Sequence, residues 1–260
     1  MAKVLLVTGG SRGIGAATAR LAAERGYDVA INYLQDSGAA DGVVQDIRAL
    51  GRRAIAVQAD VSVPDDVVRL FKTVDQELGP LSALVNSAGV GSSGVRVEDS
   101  DPAALERLFR TNVIGLILAA REAVRRLSTK HGGQGGVIVN VSSMAATIGG
   151  RPGASHYAAS KAAVDAFTTG LAKEVGGEGI RAVSVRRGFT RTDMTDAWSK
   201  DPKVLAGIVA TLPLGRAGEA IEIARPIVWL LSDEAPFRSG AHLDVSGGGF
   251  LVGGGRHADQ

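Results

Sequence analysis

VLLVTGGSRGIG, residues 4–15, runs from an apolar stretch straight into a glycine-rich turn. Val4–Thr8 reads as a strand covered on both faces, because apolar side chains stand on consecutive rather than alternate positions. A helical pattern follows over 14–25. Glycines at such a strand–helix junction permit a tight turn and let backbone amides approach a pyrophosphate at the helix N-terminus. The spacing is G-x-x-x-G-x-G over Gly9, Gly13 and Gly15, rather than G-x-G-x-x-G, with Ser11, Arg12 and Ile14 in the same turn. The position directly after the first strand makes dinucleotide binding the better reading than an ordinary junction.

Working outward, short apolar runs alternate with longer amphipathic segments along the chain. Val4–Thr8, Val29–Tyr33, Ala54–Ala59, Ala83–Asn86, Val137–Val141, Ala182–Arg186 and Ala241–Val245 read as strands. Helical patterns occupy 14–25, 38–50, 65–78, 102–130, 156–176 and 219–232. This alternation predicts an α/β fold: one Rossmann-type, doubly wound parallel sheet of about seven strands with helices on both faces. No linker composition divides the chain, so residues 1–260 read as a single domain. The least regular stretch, 188–218, is expected to form a substrate lid rather than a plain crossover. The tail beyond about residue 254 is expected to be mobile.

Composition excludes several classes. The 260 residues contain no cysteine, which removes disulfides and thiol or zinc–thiolate chemistry. The histidines, His131, His156, His242 and His257, lack metal-ligand spacing, so no metal site is expected. A net charge of +2 without basic runs argues against nucleic acid. No apolar run reaches membrane-spanning length and the start lacks a signal-peptide pattern, so the expected location is cytoplasmic, with no membrane partner.

Two groups bear on which dinucleotide is held. NAD sites place a carboxylate at the end of strand two to accept the ribose 2′-hydroxyl. Here the strand ends Ile31-Asn32-Tyr33-Leu34, with no acid before Asp36. Arg12 is available to pair with a 2′-phosphate and Asn32 to add a hydrogen bond. The expected cofactor is therefore NADP, with NADPH preferred over NADH.

The stretch SHYAASKAAV, residues 155–164, sets Tyr157 four positions ahead of Lys161 in a helical pattern. Residues four apart share a helical face. A phenol titrates near pH 10 unless a positive neighbour stabilises its anion. The pair thus fits either an exposed surface contact or an acid–base device.

Taken together, T-G-x-x-x-G-I-G at 8–15 and Y-x-x-x-K at 157–161 resemble the short-chain dehydrogenase/reductase family, over nearly the whole chain from Val4 to about Gly249. Asp60-Val61 resembles the pair that holds the adenine. Asn86-Ser87-Ala88-Gly89 resembles the family's N-N-A-G turn, with Ser87 in place of an asparagine. Asn112 matches the asparagine that supports a water in a proton relay, and Ser143 the active-site serine, with Ser142 as the alternative because the spacing to Tyr157 is one residue long. The resemblance implies Tyr157 as general acid/base, Lys161 as the residue that depresses its pKa and bonds the nicotinamide ribose, and Ser143 as the group orienting the substrate oxygen. It further implies Thr192 against the nicotinamide carboxamide, beyond the turn at Gly188.

Two departures stand out, the first being Ser184 where the family carries asparagine. The family carries proline before that glycine, and this chain carries Arg187, which either loosens the turn, brings charge towards the pyrophosphate or an acidic substrate, or is tolerated variation. The expected function is NADP-dependent interconversion of a carbonyl and a secondary alcohol, with glucose 1-dehydrogenase-like and 3-oxoacyl-carrier-protein reductase-like enzymes as the nearest resemblances. The alternatives are a sugar 1-dehydrogenase, a 3-oxoacyl thioester reductase, or a non-catalytic NADP sensor, which would not need Tyr157, Lys161 and Ser143. The basic cluster Arg121, Arg125 and Arg126 either docks an acidic carrier or complements a helix C-terminus. The resemblance also implies a homotetramer or homodimer built on the helices at 102–130 and 156–176 and on the C-terminal strand.

Overall fold

A computed structural model describes residues 2–91 and 94–249. The tail beyond residue 254, expected to be mobile, lies outside the described residues. In chain order the elements are β1 (Val4–Thr8), α1 (Gly13–Glu24), β2 (Asp28–Tyr33), α2 (Ser37–Ala49), β3 (Ala54–Gln58), α3 (Pro64–Glu77) and β4 (Leu81–Asn86). Then come α4 (Pro102–Phe109), α5 (Leu116–Leu127), β5 (Gly136–Ser143), α6 (Ala145–Ile148), α7 (Ser155–Val175) and β6 (Ile180–Arg187). The last third holds β7 (Thr190–Arg191), α8 (Asp196–Ser199), α9 (Pro202–Val209), β8 (Gly218–Glu219), α10 (Ala220–Leu231) and β9 (His242–Val245).

Seven strands form one sheet in the order β3-β2-β1-β4-β5-β6-β9, every pairing parallel. The Rossmann-type sheet expected from the sequence is therefore present. Successive side chains of a strand point to opposite faces, and β1 divides accordingly. Leu5 and Val7 pack with Ala19, Val43 and Ile227 of α1, α2 and α10 on one face, while Val4 and Leu6 pack with Leu70, Ala123 and Leu171 of α3, α5 and α7 on the other. Covering both faces is what requires the consecutive apolar residues.

Local chemistry starts the helices. Asp101 and Asp201 each precede a proline and accept hydrogen bonds from two backbone amides of the first turn, capping α4 and α9. These caps satisfy amide groups that a helix start leaves unpaired.

The continuous helix expected over 102–130 is interrupted. Arg110–Gly115 winds as a π-helical turn between α4 and α5, and α5 ends at Leu127. The reason lies in close packing: a Cβ on Gly115 would come within 2.7 Å of the Val61 carbonyl oxygen, so the glycine lets the wider turn sit directly on the loop after β3. The stretch 188–218 also contains more order than its composition indicates. It carries the short parallel pair β7–β8, a 3₁₀ turn at Asp193–Thr195, α8 and α9.

Candidate active site

The strand order reverses between β1 and β4, and both loops leaving these strands part there. In open α/β sheets such a switch point opens a crevice at the carboxyl ends of the strands. A cleft of about 760 Å3 lies at that place. Its wall includes Gly9, Ser11, Arg12, Gly13, Ile14 and Gly15 after β1, Asn32 at the end of β2, Asp60 and Val61 after β3, and Ala88 and Gly89 after β4. Tyr157 and Lys161 of α7, Arg187 at the end of β6 and Thr192 after β7 also line it.

The glycine loop is shaped by exclusion. Gly9 has φ +63°, and a Cβ there would lie 2.7 Å from Ala88 Cα; a Cβ on Gly15 would lie 2.2 Å from the Gly9 carbonyl oxygen. A side chain at either position would collide with backbone, so the two glycines let the loop turn tightly and pack against the segment after β4. Thr8 braces the opposite wall, its buried hydroxyl accepting from the Ser87 and Ala88 amides at 3.2 Å each.

Asn32 is built into the scaffold. Its carbonyl oxygen accepts from Gly9 N at 3.3 Å, and its amide donates to the Ala59 carbonyl at 2.8 Å, with only 2% of the residue exposed. The residue lines the cleft while its side chain ties the glycine loop to β3. Asp36, the nearest acid, accepts from Ala39 N and caps α2. Arg12 meets Asp193 at 3.1 Å, with both side chains more than half exposed.

Several residues named from the sequence sit behind the wall. Asn86 is buried and donates to Asn140, which in turn donates to Thr168 of α7. Asn112, in the π-helical turn, is fully enclosed; its amide accepts from Val90 N at 2.8 Å and donates to Val90 O at 3.0 Å and to Ser160 at 3.2 Å. Ser160 donates to the Tyr157 carbonyl, so Asn112 and the start of α7 are linked through one hydroxyl. Gly188 lies against Ser246, where a Cβ would approach within 2.6 Å of a backbone carbon.

Around the phenol, the two serine candidates separate. Ser142 is fully buried and donates to the Lys161 carbonyl, whereas Ser143 faces Tyr157 and lowers its pKa by hydrogen bonding. Lys161 is buried, donates to the Val141 carbonyl at 2.9 Å, and stands 5.9 Å from the centroid of the Tyr157 ring. Arg187 donates to the phenolic oxygen at 3.1 Å. Burial pushes the Tyr157 pKa up, but the charges of Arg187 and Lys161 and the bonds from Ser143 and Arg187 outweigh it, leaving the phenol below its ordinary value. Burial lowers the Lys161 pKa, opposed by Tyr157 and Asp165 and reinforced by Arg187. The arrangement suits a phenol that gives and takes a proton more readily than an isolated one.

The sequence did not reveal Thr8 as a brace, Ser160 as a link, or the contact of Arg187 with Tyr157. The first two carry no local signal, since serine and threonine are ordinary in both strands and helices. The third had one, the missing proline. The basic cluster at the end of α5 has an internal explanation. Arg121, Arg125 and Arg126 all pair with buried Glu122, and Arg126 also reaches Asp75.

Among the described residues there is no acid or histidine cluster suited to a metal, and no helix long and apolar enough to cross a membrane. Residues 9–249 match the family model described as enoyl-(acyl carrier protein) reductase. An uncharacterised oxidoreductase of Escherichia coli is 46% identical over 94% of this chain and 99% of its own length. A 3-oxoacyl-[acyl-carrier-protein] reductase of Staphylococcus aureus is 35% identical over 96% of this chain and 99% of its own. A short-chain dehydrogenase from Burkholderia cenocepacia, solved in complex with NADP, superposes with a TM-score of 0.88 at 36% identity, covering 95% of this chain and 97% of that one. With the switch-point cleft, the glycine loop and the tyrosine–lysine turn all on one parallel sheet, this chain belongs to the short-chain dehydrogenase/reductase family of oxidoreductases.

Proposed function

We propose that the chain is an NADP-dependent oxidoreductase that interconverts a carbonyl compound and its alcohol, with Tyr157 as general acid and base. The observation that carries this reading is the phenol of Tyr157, inside the cleft, contacted by Arg187 at 3.1 Å and flanked by Lys161. A sensor has no use for a phenol so activated. The glycine loop fits a dinucleotide, because Gly9 and Gly15 let the loop pack against Ala88 and against itself more closely than any Cβ allows, which keeps the turn tight beside the cleft.

A bound nicotinamide supplies hydride to a carbonyl carbon or removes it from an alcohol carbon. In the reducing direction Tyr157 gives its proton to the substrate oxygen, and in the oxidising direction its phenolate takes one. Lys161 and Arg187 stabilise the phenolate, and Ser143 orients the same oxygen. Asn112 acts from behind, holding Val90 and, through Ser160, the first turn of α7. Thr192, which lines the cleft, bonds the carboxamide end of the cofactor in this reading.

The preference for NADP rests on Asp36 being engaged as a helix cap and on Arg12 beside the glycine loop, and the NADP complex of the Burkholderia relative agrees with it. The segment 188–218, carrying half-exposed Met194, Trp198 and Val204, is proposed as the substrate lid. A homodimer or homotetramer is proposed through α5, the wide turn before it and α7, where Ile114, Ile117, Ala159 and Ala166 are exposed.

The test is oxidation of NADPH and NADH by the purified protein over a panel of aldehydes, diketones, 3-oxoacyl thioesters and quinones, with sugars and NADP⁺ in reverse. Tyr157→Phe is expected to lower turnover by about 100- to 10,000-fold while leaving NADPH binding intact. Turnover unchanged in that variant overturns the assignment of Tyr157, and tight NADPH binding with no turnover on any substrate favours the sensor.

A further inference from the structure

Arg187 ends β6 and pairs in register with Ser143, the last residue of β5. Its carbonyl accepts from Met144 N, so the backbone is fixed on both sides and the side chain is delivered to the cleft from a rigid element. The guanidinium donates to the phenolic oxygen of Tyr157 at 3.1 Å and to the Gly188 carbonyl at 3.3 Å, and it lies 3.3 Å from the Met194 sulfur. A thioether is a weak acceptor, so this edge of a planar donor group lacks a strong partner.

Charge makes the point sharper. Among the described residues no carboxylate forms an ion pair with Arg187, although the other acids of this region are engaged: Asp193 by Arg12 and Asp165 by Arg186. Lys161 is buried beside the same phenol, 5.9 Å from the centroid of its ring. Two cations therefore face one titratable oxygen, and even a phenolate neutralises only one of them. A second negative group, next to the reacting oxygen, would complete the set. Guanidinium recognises carboxylate through two parallel hydrogen bonds, which gives geometry as well as energy.

We propose that Arg187 is the anion anchor of the substrate site, and that the substrate is a 2-oxo carboxylate, or in the reverse direction a 2-hydroxy carboxylate. This rests on the oxidoreductase reading above. The carboxyl group lies one bond from the reacting carbonyl, so a guanidinium already touching the phenol reaches it by exchanging the thioether for a carboxylate oxygen. Reduction adds one hydride to the carbonyl carbon and the Tyr157 proton to its oxygen; the reduced nicotinamide is oxidised, and the carboxylate emerges unchanged. Lysine at position 187 would keep the charge and lose the two-point contact.

The test compares phenylglyoxylate with its methyl ester, which differ in the negative charge. Calorimetric titration into the protein loaded with NADP⁺ reads binding without turnover. The acid is expected to bind on the order of tenfold more tightly than the ester in the wild type, with the difference gone in Arg187→Ala and reduced in Arg187→Lys. With NADPH, the acid-to-ester ratio of kcat/KM should fall by the same factor in Arg187→Ala. Thermal melts identify a variant that fails to fold, and Arg187→Gln, which keeps most of the stem, then replaces alanine. An ester bound as well as the acid in the wild type, or an acid-to-ester ratio unmoved by loss of Arg187, overturns the anchor. Failure to bind NADP⁺, or turnover surviving in Tyr157→Phe, instead overturns the reading on which the proposal rests.

Discussion

Arg12 of the glycine loop and Asp193 of the turn after β7 meet at 3.1 Å, joining the wall proposed to hold the adenosine phosphate to the segment proposed to cover the substrate. An exposed pair of this kind contributes little to stability. Its interest is competitive, because a 2′-phosphate and Asp193 seek the same guanidinium.

Arg12→Ala is accordingly expected to weaken NADPH binding about tenfold and NADH binding much less. Asp193→Asn should act in the opposite sense, tightening NADPH more than NADH. Fluorescence titration of both nucleotides against both variants checks the pair, and the NADPH difference should shrink as salt is raised.

The depressed pKa of Tyr157 fixes the sign of the pH dependence. Oxidation of an alcohol uses the phenolate, so its kcat/KM should rise with pH and level off above an inflection that lies below the ordinary phenol value. Reduction uses the protonated phenol and should fall through the same inflection. Arg187→Ala removes a positive neighbour, and both inflections are expected to move to higher pH. An inflection that stays in place would mean that Arg187 does not act on the phenol.

Thr8→Val keeps shape and removes the acceptor for two backbone amides in a buried place. The variant is expected to lose about 2 kcal/mol of stability. It should also bind NADPH less tightly, since the loop that Thr8 holds is a wall of the cleft. Urea unfolding and nucleotide titration on the same sample read the two effects.

Asp28 opens β2 with 4% of its side chain exposed, bonded to Arg52 at 2.7 Å and to Arg53 at 2.8 Å. Burial raises its pKa, but the bonds and charges of the two arginines outweigh this and hold it below the ordinary carboxylate value. Its contribution is therefore complete above the ordinary value near 4 and is lost as pH falls through the depressed one. Asp28→Ala is expected to cost about 2 kcal/mol at neutral pH, less than a fully enclosed pair because the arginines reach solvent. The gap between variant and wild type should close in acid, as thermal melts at graded pH will record.

How much of this was legible in the sequence depended on range. The strands were readable because covering a sheet on both faces forces runs such as Leu5-Leu6-Val7. Gly9 and Gly15 were readable because their spacing is local. The π-helical turn at Arg110–Gly115 was not, since one wide turn leaves the apolar pattern on either side looking continuous. Asn32 was assigned to the cofactor from its place at the strand end, while its side-chain bonds to Gly9 and Ala59 depend on how β1, β2 and β3 align. The contact between Arg187 and Tyr157 spans thirty residues and two elements, so the absent proline marked the position without revealing its partner.

The wide turn before α5 has a consequence for how the gene tolerates change. A π-helical turn takes up one extra residue while the α-helical stretches on either side keep their facing, so deleting one residue between Arg110 and Gly115 would re-form an ordinary helix without turning α4 against α5. Ala119, Ala120 and Ala123 stay held to the sheet, so the change falls on the turn itself, which loses the wide winding that carries Asn112 and sets its amide against Val90. The count of residues in this segment is therefore under tighter constraint than their identity: substitutions are absorbed one at a time, whereas a single in-frame codon loss dismantles the back wall of the site at once.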